Sequence, residues 1–424
     1  MPRPALTLAT LLILGATLPA ADPTDAPSPA AEAVPGSTTA AVTGRPALWD
    51  LTALERARTA ARQGDDQVVP ALGNLVRAAE RWLGKPLESV IDKVGKVQIR
   101  EGEDPHDFRS VSIYFWPDPT DPAAPWIKRD ADRNTEAVVK YDSDRLSRAT
   151  ERIRDGALAW WFTGRTELAE DAAQQLRHWF LAPATRMNPN LKYAQFIPNV
   201  RGEKGNAHGL IDTWKLVEML SALSLLEQGP FLTSEDRAGM RKWVADYREW
   251  FLTSDLGRAE AAASNNHSIY YDMQVVAFSH YLDDQAHVRQ VLGDIGPKRI
   301  AAQVEPDGSM PRELARPIAF TYTCWNLAPL VRMAAMERHA GAPSGIWAWS
   351  SPDGRSLAKS ISWLLTFTNG ATWTWGRASD PVNPTTIARL VWILVRSGTA
   401  PELASALDTL NLPKDDRLRL LYPQ

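Results

Sequence analysis

Cysteine is almost absent from the 424 residues: Cys324 stands alone. No internal disulfide can form, so stability must come from a packed core, and a lone thiol in apolar surroundings reads as a small buried residue. Histidine is scarce too, with seven. There is no His-Glu-x-x-His, no cysteine cluster and no calcium loop, so no metal is expected. No glycine-rich phosphate loop follows a strand and no Gly-x-Ser-x-Gly occurs, which argues against a nucleotide cofactor and a serine nucleophile. Net charge is −3 with no long basic run; nucleic acid is therefore not the expected partner, because phosphate binding needs clustered Lys and Arg. Strand-like alternation is rare, and "SVSIYFW" (110–116), a weak case, is cut off by Pro117 and Pro119. The long apolar run, Ala5 to Leu18, is too short for a permanent membrane span. It lies between Arg3 and the small residues Ala20 and Ala21, the three-part pattern of a secretory signal. We expect a signal peptide over 1–21, a flexible leader rich in Pro, Ala, Ser and Thr over 22–44, and a periplasmic or secreted protein without a lipid or membrane anchor.

What is present is helix. "LSRATERIRDGALAWWFTG" (146–164) places Leu146, Ile153, Ala157, Trp160 and Trp161 near one face and ends at Gly164. "ELAEDAAQQLRHWFL" (167–181) repeats that design. The stretch 210–229 is apolar on more than one side, and 233–254 opens with Thr233 or Ser234 as N-cap and acids in its first turn. Further helices are expected at 51–63, 67–83, 268–282, 285–303, 324–340, 355–369 and 385–397. Each helix hairpin must bury its apolar stripe on a neighbour, so residues 45–424 are read as one all-α domain, an α/α toroid or incomplete barrel of antiparallel hairpins. Four long loops, 100–135, 183–209, 254–268 and 304–323, collect the unusual polar residues. Most of the 17 Trp belong in the core, and a few can offer flat faces to sugar rings.

Five segments then stand out in order: "YFWPDPTDPAAPWIKRDADRN" (114–134), "MNPNLKYAQFIPNV" (187–200), "GLIDT" (209–213), "SNNHSIYYDMQVVA" (264–277) and "DGSMPRELARPIAFTYTCWNL" (307–327). Together they resemble the alginate lyase domain family of polysaccharide lyases. The resemblance implies an α/α toroid that cleaves a uronate polymer, alginate or polymannuronate first among them, by β-elimination without a redox cofactor. It implies as site residues Asn265, Asn266, His267, Arg316 and Tyr322.

The residue types suit that chemistry. β-Elimination at a uronate requires the C5 carboxylate to be neutralised, a base for the C5 proton and an acid for the O4 leaving group. Asn265 or Asn266 can donate amide hydrogens to the carboxylate, and both stand at the start of a helix whose N-terminus favours an anion. His267 can act as base at neutral pH. Tyr322 can act as acid, and as base if a cation such as Arg316 lowers its pKa. Two assignments stay open: His267 abstracts and Tyr322 protonates, or Tyr322 does both while His267 holds charge. Tyr193, Gln195, Trp116, Arg312 and, more weakly, Trp126 are expected substrate contacts. Tyr271, also assigned to substrate binding, lies one turn beyond His267 and could orient it. Arg316 could instead pair with Glu313, and His208 has no assigned role. The competing readings are a glycoside hydrolase using two of Asp212, Asp272, Asp307 and Glu313, a glucuronan-type lyase, and a non-catalytic uronate-binding protein. In each case the partner is an anionic polysaccharide or oligosaccharide.

Overall fold

The 3.6-residue apolar period read from residue 51 onward becomes helix after helix in the computed structural model, which describes residues 45–339 and 345–424. The signal peptide and leader expected over 1–44 lie outside the described residues. Asp142–Thr163, Leu216–Leu226, Asn266–Tyr281, Ala319–His339 and Pro384–Arg396 pack in that order, each against the next. Two of these, Leu216–Leu226 and Asn266–Tyr281, are buried on nearly every side, as helices of an inner layer must be. Val69–Glu80, Thr166–Leu176, Ser234–Thr253 and Gln285–Asp294 pack outside them. Thr166–Leu176 is typical of these, burying Leu168, Ala169, Ala172, Ala173 and Leu176 along one face. The short helix Leu418–Leu421 touches Leu51–Arg62, Val69–Glu80 and Pro384–Arg396, and the Tyr422 hydroxyl donates to the Leu48 carbonyl at 2.8 Å, so the last of the described helices meets the first. The result is the expected α/α toroid.

Local rules set the helix limits. Thr233 is the N-cap of Ser234–Thr253 in a capping box with Asp236. Gly164 ends Asp142–Thr163 at φ 79°, a left-handed conformation that suits glycine. The expected helix 285–303 widens into a π turn over Ile295–Ile300, where Pro297 has no N–H to continue the α ladder. The expected helix 210–229 divides into a 3₁₀ segment, Ala207–Thr213, and the α-helix Leu216–Leu226.

The loops hold more structure than their composition suggested. Arg109–Val111 pairs in parallel with Tyr193–Phe196, joining the loops 100–135 and 183–209. Phe115–Trp116 pairs antiparallel with Ile127–Lys128. Gly205 and Gly209 lie against Ala194, whose atoms would stand 2.5–2.8 Å from an added Cβ. This close approach presses the 201–209 segment onto Tyr193–Phe196 and carries His208 with it. The loop 254–268 contains a helix, Asp255–Ala261.

Candidate active site

The four polar loops converge on a cavity of about 800 Å³. Asn265, Asn266, His267, Arg316, Tyr322 and Gln195, expected from the sequence, all line it. Tyr193, Trp116, Tyr271 and Arg312 do not. Tyr193 lies under the Arg109 guanidinium, 5.0 Å from its ring centre. The Trp116 indole donates to the Asp132 carbonyl at 3.0 Å within the hairpin. Tyr271 is buried, stacks on Phe251 and donates to the Phe251 carbonyl at 3.3 Å, so it packs the core and does not orient His267. Arg312 is exposed and bonds Ser264. Trp126 packs against the small apolar cluster of Val111, Ala137, Val138 and Phe196.

The start of the Asn266–Tyr281 helix differs from expectation in one respect. Its N-terminal charge is already answered from within the chain. Glu313 accepts from the Asn266 backbone N–H at 2.9 Å and from the Asn266 amide at 3.0 Å to each carboxylate oxygen. Asn266 is 1% exposed and its donors are spent. Asn265, half-buried at the N-cap, makes no capping bond with its side chain, so its amide is the one left for a ligand. The alternative in which Arg316 pairs with Glu313 does not occur; Arg316 lies beyond the end of Pro311–Leu314 and turns to Asp130.

The opposite wall is built around that Arg316. Its Nε and Nη2 donate to Asp130 at 2.9 and 2.6 Å, and Nη2 also donates to the Tyr322 hydroxyl at 2.8 Å. These bonds leave Nη1 for a ligand. The guanidinium carbon sits 3.7 Å from the centre of the Tyr322 ring. Tyr322 in turn donates to the Tyr114 hydroxyl at 3.0 Å. Burial pushes the Tyr322 pKa up, and the bond to Tyr114 adds to this; Arg316 pulls the other way and does not prevail. The phenol therefore rests protonated, ready to donate.

His267 faces the cavity with its Nδ1 2.7 Å from the Oε1 of Glu260, which leaves Nε2 on the cavity side. The His208 ring stands edge-on to it, with centroids 4.6 Å apart. Loss of water around the His208 ring holds its pKa below that of a free imidazole, reinforced by the neighbouring His267, so His208 presents a neutral ring.

Sequence reasoning missed Glu260, Tyr114, Asp130 and His208 as parts of this constellation. Tyr114 was visible in "YFWPDP" as an aromatic in a loop. Nothing in the spacing tied Glu260 to a histidine seven positions later.

Among the described residues no Asp or Glu lines the cavity. Asp212 is half-buried next to it, bonded to Ser110 at 2.5 Å and the Gln195 amide at 2.7 Å, and loss of water around its carboxyl raises its pKa to about 6. Asp272 is taken up by Arg299, Asp307 by the turn at Ser309, and Glu313 by Asn266. The pair of carboxyl groups that flank the bond in glycoside hydrolysis has no counterpart here. Among the described residues the lining cations Lys128, Arg201 and Lys204 form no ion pair, Lys128 acting on Asp130 only at longer range, so the cavity favours an anion. Among the described residues no group of three or more His, Cys, Asp or Glu is arranged to hold a metal ion.

Comparison with known proteins places the chain in a family. The family model described as Alginate lyase matches residues 95–375. The crystal structure of an alginate lyase from Bacteroides ovatus is 30% identical, with a TM-score of 0.81, over 89% of this chain and 99% of that one. Alginate lyase A1-III from Sphingomonas species A1 shares the fold at 13% identity and TM-score 0.52, over 91% of this chain and 98% of that one. A variant of A1-III complexed with tetrasaccharide matches at the same identity and TM-score. No curated protein matches. The matched span and the likeness to the Bacteroides ovatus enzyme show that the chain belongs to the alginate lyase family and is a polysaccharide lyase.

Proposed function

We propose that this chain cleaves alginate by β-elimination, with His267 as base, Tyr322 as acid, and Arg316 with Asn265 neutralising the uronate carboxylate. The carrying observation is the convergence of a free imidazole Nε2, a protonated phenol and an unspent guanidinium Nη1 on one cavity free of lining carboxylates. Alginate as substrate is supported by the 30% identical Bacteroides ovatus structure, which is of an alginate lyase.

The bonds change as follows. His267 Nε2 takes the C5 proton. The electron pair is held as an aci-carboxylate, whose extra charge falls on Arg316 Nη1 and the Asn265 amide. The pair then forms the C4–C5 double bond as the C4–O4 bond breaks, and Tyr322 gives its proton to O4. The phenolate left behind accepts from Arg316 Nη2 at 2.8 Å until it is reprotonated. Of the two assignments open from the sequence, the protonated state of Tyr322 and the anchored Nδ1 of His267 favour this one. Lys128, Arg201 and Lys204 attract the further carboxylates of a polymer. The N-terminal pattern supports export, which brings such an enzyme to an extracellular polymer.

The test is a panel of mannuronate-rich alginate, guluronate-rich alginate, glucuronan and pectin, read by the ultraviolet absorbance of the unsaturated uronate. Absorbance growing with an alginate supports the reading. New reducing ends without it would point to hydrolysis, and binding without either would point to a non-catalytic uronate-binding protein.

A further inference from the structure

We infer that Glu260 is the positioning residue of this site: it keeps the proton of His267 on Nδ1 and steadies the imidazolium that forms on proton abstraction. The inference rests on the reading of His267 as base and deepens it.

Glu260 is 1% exposed, and its Oε1 lies 2.7 Å from His267 Nδ1. Its Oε2 is buried without a hydrogen-bond partner among the described residues. A buried carboxylate is expensive unless it is paired. No cation is bonded to this one, so His267 is its compensation. A carboxylate accepts and does not donate, which places the ring proton on Nδ1 and the lone pair on Nε2, toward the cavity.

The backbone is arranged to deliver it. Asp255–Ala261 is a seven-residue helix, too short to hold itself. It is N-capped by Ser254, whose hydroxyl accepts from the Gly257 N–H at 3.0 Å. Gly257 lies so close to the preceding helix that a Cβ there would fall 1.8 Å from the Phe251 carbonyl oxygen. Only glycine allows that approach, and the approach brings Glu260 to the Nδ1 edge of His267. Tautomer control of this kind is worth much: where a buried aspartate orients a catalytic histidine in serine proteases, its amide replacement lowers kcat by about 10⁴ through the wrong tautomer.

The experiment is Glu260→Gln in the full-length protein, with steady-state kinetics and NMR of isotope-labelled imidazole to read which ring nitrogen carries the proton. We expect kcat to fall by about 10²–10⁴-fold with KM within about threefold, and the proton to move from Nδ1 to Nε2, because the glutamine amide donates to Nδ1. Glu260→Asp keeps the charge, so it should keep the tautomer and recover part of the lost rate; it also serves if the amide variant does not fold. Unchanged kcat in Glu260→Gln would overturn the inference, and so would a loss of rate with the proton still on Nδ1. Failure of the parent reading looks different: His267→Ala would retain activity, whereas the tautomer readout depends on Glu260 alone.

Discussion

Two cavities of similar size, about 800 and about 890 Å³, share Thr321 and Trp325 in their walls, and they treat charge in opposite ways. In the second, the cations are matched by acids: Arg154 and Arg332 share Glu218 at 2.6 and 2.8 Å, Lys215 holds Glu151 at 2.5 Å, Arg389 holds Asp416 at 2.7 Å and Arg417 holds Asp155 at 2.9 Å. Burial would raise the pKa of Glu218, yet Arg332, Arg154 and Arg417 hold it at about 2. In the first cavity Lys128, Arg201 and Lys204 form no ion pair among the described residues, Lys128 only adding to the field on Asp130, and Arg316 keeps Nη1 free. The same residue types therefore do different work. Where charge is neutralised inside the chain it holds helices together; where it is left open it awaits an anion from outside.

The largest effect should come from the chemistry of the first cavity. His267→Ala and Tyr322→Phe should each lower kcat by about 10³-fold or more, while titration calorimetry still detects an alginate oligosaccharide. Activity surviving either change would remove that residue from the mechanism. Next comes the second cavity: Glu218→Ala leaves Arg154 to Asp155 alone and takes from the partly buried Arg332 its acid, and should destabilise by about 1–3 kcal/mol, measured by urea unfolding, with kcat per folded molecule preserved. An activity loss at full stability would mean that this cavity, too, serves the reaction.

Smaller effects sharpen the contrast. Arg201→Ala with Lys204→Ala should raise KM for polymer by up to about tenfold and flatten its salt dependence, with the melting temperature unchanged. The smallest effect is a pH slope. The raised pKa of Asp212, about 6 against 3.8 for a free side chain, gives stability that is fully present below pH 3.8 and is lost as pH rises through about 6. In Asp212→Asn the unfolding free energy should lose that slope.

Much of the fold was legible because long amphipathic helices announce themselves by period, and caps such as Thr233 and Gly164 mark their ends. The convergence of His267, Arg316 and Tyr322 was legible through the ordered segments that carry them. The residues that serve them were not. Glu260 belongs to a helix too short to show a period, in a stretch read as loop. The alternative Arg316–Glu313 pair rested on helical i, i+3 spacing, whereas Pro311–Leu314 ends before Arg316 and the guanidinium reaches Asp130, 186 positions away in sequence. Tyr271 misled because helical spacing says which residues share a face and not whether that face meets a cavity or, as here, Phe251.

The most direct test of the central claim is a crystal structure of the Tyr322→Phe protein soaked with an alginate oligosaccharide. The account predicts one uronate in the cavity of His267, its carboxylate on Arg316 Nη1 and the Asn265 amide, and its C5 facing His267 Nε2. A sugar bound in the cavity of Glu218, or one whose carboxylate points away from Arg316, would contradict it.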